Sequence, residues 1–202
     1  MRVLSFDPSS TATGWAVVND ELAAERSGIL RRPASWPVYL RIRNLHADAK
    51  RLLNQLAAGV DRIVVEVPGK AQAGRLRRTY ATPGDYAAAV GVVLGLAWGT
   101  GLPVVTVRSD EWTGAREGYP ASKAHRLAVL KAAGAYDGEG DPGGDRGDAI
   151  FLGIWYLQRH AHRVDVPLHF PGREGYSEED LETAEDGTPM PIGARYKATG
   201  SG

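Results

Sequence analysis

Asp7, Glu66, Asp145 and Asp148 stand where apolar segments end or a helical pattern begins, positions at which a carboxylate is an uncommon choice. Carboxylates gathered from such positions offer hard oxygen ligands suited to a divalent ion such as Mg2+ or Mn2+. Asp7 closes Arg2-Val3-Leu4-Ser5-Phe6, a strand-forming run, and Pro8-Ser9-Ser10 ends it before Gly14-Trp15-Ala16-Val17-Val18 starts another. Glu66 ends Arg62-Ile63-Val64-Val65, the pattern of a strand covered on both faces, which Pro68-Gly69 stops. A carboxylate ending a buried strand costs desolvation energy unless a cation or donor meets it. Asp145 and Asp148 are three residues apart at the mouth of a helical pattern, so they share one helix face. Each acid also has a plainer explanation: Asp145 as a helix N-cap with Asp148 in the first turn, Asp7 as a turn residue. The set of four points to a site; no single member does.

The elements that must position these acids follow from apolar periodicity. Strands are expected over 2–7, 14–18 and about 22–30, with Asn19-Asp20 turning the last two into an antiparallel meander. Val38, Ile42, Leu45, Ala49, Leu52, Leu53 and Leu56 recur at helical spacing, with Arg41, Arg43, Lys50 and Arg51 on the opposite face. A strand over 62–67 follows, then a basic loop. Thr82, Pro83 and Asp85 read as the cap, first residue and acidic first turn of a second helix reaching about Trp98. Gly91 and Gly95 lie four apart on it, and glycine inside a helix costs about 1 kcal/mol relative to alanine, so close packing against a neighbour, including a second subunit, is the expected compensation. A strand over 103–107, a helix capped by Ser122 and ending at Gly134, a flexible glycine-rich approach over 138–144, and a last helix from Asp148 to about His162 complete the pattern. The expected fold class is α/β: a mixed five-stranded sheet, three strands antiparallel and two parallel, with helices on both faces.

With 202 residues and 43% hydrophobic composition, the chain suits one domain with a sizeable core. No cysteine is present, which excludes disulfides, zinc ribbons and thiol nucleophiles and fits a reducing, cytoplasmic setting. The longest apolar stretch, Ala87 to Trp98, is too short to span a bilayer, so no membrane association is expected. Net charge is zero but unevenly spread: residues 1–163 hold 21 Lys and Arg against 16 Asp and Glu, and residues 164–202 hold 3 against 8. We therefore divide the chain into a basic body, 1–163, and an acidic C-terminal extension, 164–202, with little periodicity beyond a short helix capped by Ser177. A basic body suits a phosphate-bearing partner, although an ordinary mixed surface has a similar balance.

Four blocks resemble the RuvC-type Holliday junction resolvases of the RNase H-like nuclease superfamily. Leu4-Ser5-Phe6-Asp7-Pro8-Ser9-Ser10-Thr11-Ala12-Thr13-Gly14-Trp15-Ala16-Val17 resembles the family's opening hairpin, Ile63-Val64-Val65-Glu66 its central Glu strand, Asp145-Arg146-Gly147-Asp148-Ala149 its Asp-x-x-Asp-Ala helix start, and Ala121-Ser122-Lys123 a basic helix start that approaches DNA. The resemblance covers about residues 2–160. It implies an RNase H-like fold, a homodimer, a branched DNA partner, and a metal-dependent endonuclease that leaves 5′-phosphate and 3′-hydroxyl ends. Two departures bear on substrate. Ser9 stands where many members have glycine, and Gly69 stands three residues after the Glu, where well-studied members place an aromatic wedge. Departures of this kind suit a divergent, phage-type relative.

On this reading two Mg2+ or Mn2+ ions would be held by Asp7, bridging both, with Glu66 and Asp145 completing one coordination sphere each and Asp148 on the ion that activates water. Lys70, Arg75, Arg77, Arg78 and Tyr80, in the loop after Glu66, together with Lys123, are the candidate DNA contacts; a solvated loop is the plainer alternative for the run. Trp36, Trp98, Trp112 and Trp155 read as core or interface residues, and the five histidines show no ligand spacing with the acids. Other readings are an RNase H-like nuclease acting on RNA/DNA hybrids, in packaging or in processing, and a non-catalytic nucleic-acid-binding module. A sugar-kinase or actin-like ATPase needs two such domains, for which the chain is too short.

Overall fold

Alternation along the first strand divides the molecule into two cores. The computed structural model describes residues 1–69, 83–113, 122–160, 181–183 and 189–191. Strand β1 (Arg2–Asp7) is central: it pairs antiparallel with β2 (Ala12–Asn19) and parallel with β4 (Arg62–Val67). Strand β3 (Ala24–Arg31) extends the antiparallel side and β5 (Val104–Arg108) the parallel side, giving the order β3-β2-β1-β4-β5. This is the expected mixed sheet of three antiparallel and two parallel strands. Asn19 and Asp20 do form the β2–β3 turn, with Leu22 in the left-handed region at φ 61°.

Side chains alternate across a strand, so each face of the sheet collects one parity. Leu4, Phe6, Ile63 and Val65 are fully buried beneath helices α1 (Val38–Leu56) and α2 (Pro83–Trp98). Val3, Val64 and Val107 face the other way, into a core supplied by α5 (Asp145–His160) and α4 (Lys123–Ala132). Helices thus cover both faces. A short helix, α3 (Ser109–Trp112), follows β5 directly; its four residues carry no periodicity, so nothing in the pattern announces it. Helix α5 is buried continuously from Gly147 to Gln158, because β1, β2 and α4 enclose it.

Several expectations change. Gly91 and Gly95 face open space, and a Cβ at either would meet nothing within 4 Å, so no packing among the described residues explains them. Trp112 and Trp155 are core residues, whereas Trp36 and Trp98 are 40% and 63% exposed. Helix α5 begins at Asp145, one turn earlier than its apolar pattern. The approach to it is ordered, with Gly138, Gly140 and Gly144 at positive φ and Arg31 Nη2 donating to the Gly140 carbonyl at 2.6 Å. In the extension, β6 (Leu181–Thr183) pairs antiparallel with β7 (Pro189–Pro191), so a helix capped at Ser177 does not run through those residues. No helix among the described residues is long and apolar enough to cross a membrane.

Candidate active site

Strand parity decides where the first two acids point. Val3 and Ser5 face α5, so Asp7, two residues on, faces it too; Val64 faces α5, and Glu66 follows by the same rule. Phe6 and Val65 are register partners in the parallel β1–β4 ladder, which sets Asp7 and Glu66 beside each other at the C-terminal ends of adjacent strands. The start of α5 then closes on this edge. Ser5 Oγ donates to the Ala149 carbonyl at 2.6 Å, tying strand to helix. Gly14, the register partner of Asp7, allows the approach: a Cβ there would lie 1.9 Å from the Asp145 carbonyl oxygen.

Capping of α5 falls to a residue outside the proposed set. Asp141 accepts from the Asp145 amide (2.9 Å) through Oδ1, and from the Arg146 (3.0 Å) and Gly147 (3.1 Å) amides through Oδ2. The Tyr136 hydroxyl donates to Asp141 Oδ2 at 2.8 Å and holds the cap in place. With the free amides of the first turn satisfied, the side chains of Asp145 and Asp148 are available for other partners.

Those partners are cations. Lys123 Nζ lies 2.8 Å from Asp148 Oδ2 and 3.3 Å from Asp145 Oδ1. Arg126 donates to Asp148 Oδ1 from Nε at 3.2 Å and from Nη2 at 3.0 Å, with its guanidinium 4.8 Å above the Trp112 ring. Glu66, 5% exposed, accepts from the Tyr86 hydroxyl at 3.4 Å. Burial pushes the Glu66 carboxyl up to about 7, helped by repulsion from Asp148 and opposed by Arg126 and Tyr86. Asp7 is raised well above the usual carboxylate range, first by burial and then by repulsion from Glu66 and Asp148. Burial would lower the Lys123 ammonium, yet Asp148, Asp7 and Asp145 together raise it.

Asp7, Glu66, Asp145 and Asp148 are therefore one electrostatic unit. Among the described residues no three acids converge closely enough to hold a metal ion, and Lys123 bridges the two helix carboxylates. The donor set nonetheless fits a hard divalent ion: it is wholly oxygen, and the two cations at Asp145 and Asp148 leave half-buried Asp7 and buried Glu66 without a salt bridge among the described residues.

Lys123 thus stands inside the cluster. Lys70, Arg75, Arg77, Arg78 and Tyr80 lie outside the described residues. Gly69 is sealed, because its amide donates to Ser109 Oγ at 3.1 Å and a Cβ would meet Asp110 Oδ1 at 2.2 Å. Arg126, Tyr86, Trp112, Asp141 and Gly14 were not singled out from sequence as parts of the site. Arg126 carried a readable signal, three residues after Lys123 on the same helix face; Trp112 carried none.

No protein-family profile matches the chain, and no curated protein sequence matches it. Solved structures do. Thermus thermophilus RuvC in complex with a Holliday junction substrate is 19% identical with a TM-score of 0.60, the match covering 83% of this chain and 99% of that one. A second T. thermophilus RuvC structure is 20% identical over 79% of this chain and 96% of that one, again with a TM-score of 0.60. The fowlpox virus resolvase with Holliday junction DNA is 13% identical, with a TM-score of 0.51 over 79% of this chain and 98% of that one. The chain has the RNase H-like fold that these resolvases share.

Proposed function

We propose that the chain is a metal-dependent, structure-selective DNA endonuclease that resolves four-way (Holliday) junctions by phosphodiester hydrolysis. The observation that carries the reading is the placing of Asp7 and Glu66 side by side at the ends of neighbouring parallel strands, under a helix whose first turn holds Asp145 and Asp148, in a fold similar to that of RuvC. Asp7, Glu66, Asp145 and Asp148 would hold two Mg2+ or Mn2+ ions, which supply an activated water and neutralise charge on the phosphoryl group. The chain's own contribution is positional: the β1–β4 register sets the two strand acids, and Asp141 with Gly14 sets the helix acids. The remaining cations, Lys70, Arg75, Arg77 and Arg78 with Tyr80, are proposed to hold DNA backbone beside the site.

A homodimer suits two symmetric cuts in a twofold junction. The exposed strip of α2 containing Gly91, Gly95 and Trp98 is the proposed contact, since nothing among the described residues packs on its glycines. The substrate is where a second reading has support. The position three after Glu66 is Gly69 and carries no wedge side chain, which favours an RNase H-like nuclease of different substrate if no other residue opens the junction.

A panel of four-way junction, flap, RNA/DNA hybrid and linear duplex, each in Mg2+ and Mn2+, separates these. Preferred cutting of the junction supports resolution; preferred cutting of hybrid or linear duplex replaces it with the second reading. Asp7→Asn is expected to remove cleavage by at least about a hundredfold, on the scale of losing one charge-stabilising group, while junction affinity measured by gel shift stays within a few-fold. Unchanged cleavage would refute the site.

A further inference from the structure

The carboxylate cluster already contains two cations of the chain's own, and they are held very differently. Arg126 is 5% exposed, donates twice to Asp148 Oδ1, and lies over the buried indole of Trp112 and 6.0 Å from the Phe151 ring centroid. A planar guanidinium fixed by a carboxylate and an aromatic face leaves only by giving up both interactions. Among the described residues Lys123 is paired with carboxylates alone and lies over no aromatic ring. It is the first residue of α4, its side chain is 37% exposed, and its ammonium sits on a flexible four-carbon stem.

Its position is the informative part. One ammonium spans Asp148 Oδ2 at 2.8 Å and Asp145 Oδ1 at 3.3 Å, the two carboxylates that α5 presents to the site. A divalent ion bound to the same oxygens would stand a few ångströms from that ammonium. The ion and the ammonium are like charges competing for the same oxygens at short range, so they repel and cannot share the position at full strength.

Resting on the reading of these acids as divalent-ion ligands, we propose that Lys123 is an exchangeable placeholder. Its ammonium holds Asp145 and Asp148 in position while no divalent ion is bound, and it is expelled when the ion enters; Arg126 stays. The expelled ammonium, at the rim of the site, then pairs with a DNA phosphate. Metal loading and DNA binding are thereby coupled through one side chain, and the coupling is reciprocal: whatever factor the metal adds to DNA affinity, DNA adds to metal affinity.

The test is Mn2+ binding to the full chain without DNA, by calorimetry at fixed ionic strength, for wild type, Lys123→Met, Lys123→Arg and Lys131→Met. Lys131→Met removes the same charge elsewhere on α4. Lys123→Met is expected to bind Mn2+ about tenfold more tightly than wild type, within the usual range for coupled sites, with Lys123→Arg and Lys131→Met close to wild type. Junction affinity with and without Ca2+ is the second measurement: the ion tightens binding in wild type and has little effect on Lys123→Met. Mn2+ affinity in Lys123→Met equal to or weaker than wild type, with wild type still binding and Asp7→Asn not, overturns the placeholder and leaves the metal site standing. Absence of Mn2+ binding in wild type and Lys123→Met alike overturns both.

Discussion

Burial of Glu66 makes a carboxylate behave as a switchable group near neutrality. Its folded value of about 7 lies above the ordinary 4.5, so the folded state holds the proton more tightly than the unfolded chain does. The stability this provides is complete below pH 4.5 and is lost as pH rises to about 7. At 1.36 kcal/mol per pKa unit the loss is on the order of 3 kcal/mol, and Asp7, raised for the same reasons, acts in the same direction. Denaturant unfolding in chelator at pH 5 and pH 8 is expected to show the metal-free protein weaker at pH 8, with Glu66→Gln removing most of the difference. A pH profile unaltered by Glu66→Gln would contradict the assignment. Divalent-ion affinity is expected to rise through the same window, since ligands must shed protons to bind.

At the scale of elements, the decisive contact is between β2 and the first turn of α5. Gly14 lies against the Asp145 carbonyl, and a backbone oxygen has no rotamer by which to give way. Gly14→Ala is expected to push the helix start off the sheet, costing about 1–3 kcal/mol as overpacking does, and to move Asp145 and Asp148 relative to Asp7. The expected outcome is a lower melting temperature together with cleavage reduced by more than tenfold. Wild-type activity in a folded Gly14→Ala protein would mean that the approach of α5 does not set the site. The Asp141 cap explains why this helix starts one turn before its apolar stripe: three amides satisfied by one carboxylate compensate for a first turn without apolar side chains.

For the whole molecule, two surfaces have no account within the described fold. A Cβ at Gly95 would meet no described atom within 4 Å, so Gly95→Arg projects into open space among the described residues and should leave the monomer folded. If α2 is the subunit contact, that substitution is expected to shift the protein from dimer to monomer in sedimentation, by at least tenfold in dissociation constant. The acidic extension is the second. Its 8 Asp and Glu against 3 Lys and Arg oppose the charge of the body, and we expect it to compete with DNA for the basic surface. Truncation after Arg163 should then tighten junction binding severalfold at low salt and little at high salt; unchanged affinity at low salt would leave the extension without that role.

Sequence alone determined the five strands of the main sheet and the longer helices, and it singled out the four acids as a proposed set. Periods of two and 3.6 are local consequences of backbone geometry, and a carboxylate that ends an apolar run is legible because its desolvation cost demands a partner. The period of a strand puts Asp7 and Ser5 on one face of the sheet but does not say what covers that face. Only tertiary structure decided that α5 covers it, that Gly14 admits the helix, that Asp141 caps it, and that Gly69 is closed by Ser109 and Asp110. The same holds for Lys123, which reads as a DNA contact in sequence and folds into the acid cluster. Apart from the Asp141 cap, which is local, each of these depends on pairs distant along the chain, whose meeting is set by strand order and helix docking and leaves no periodic trace in either segment.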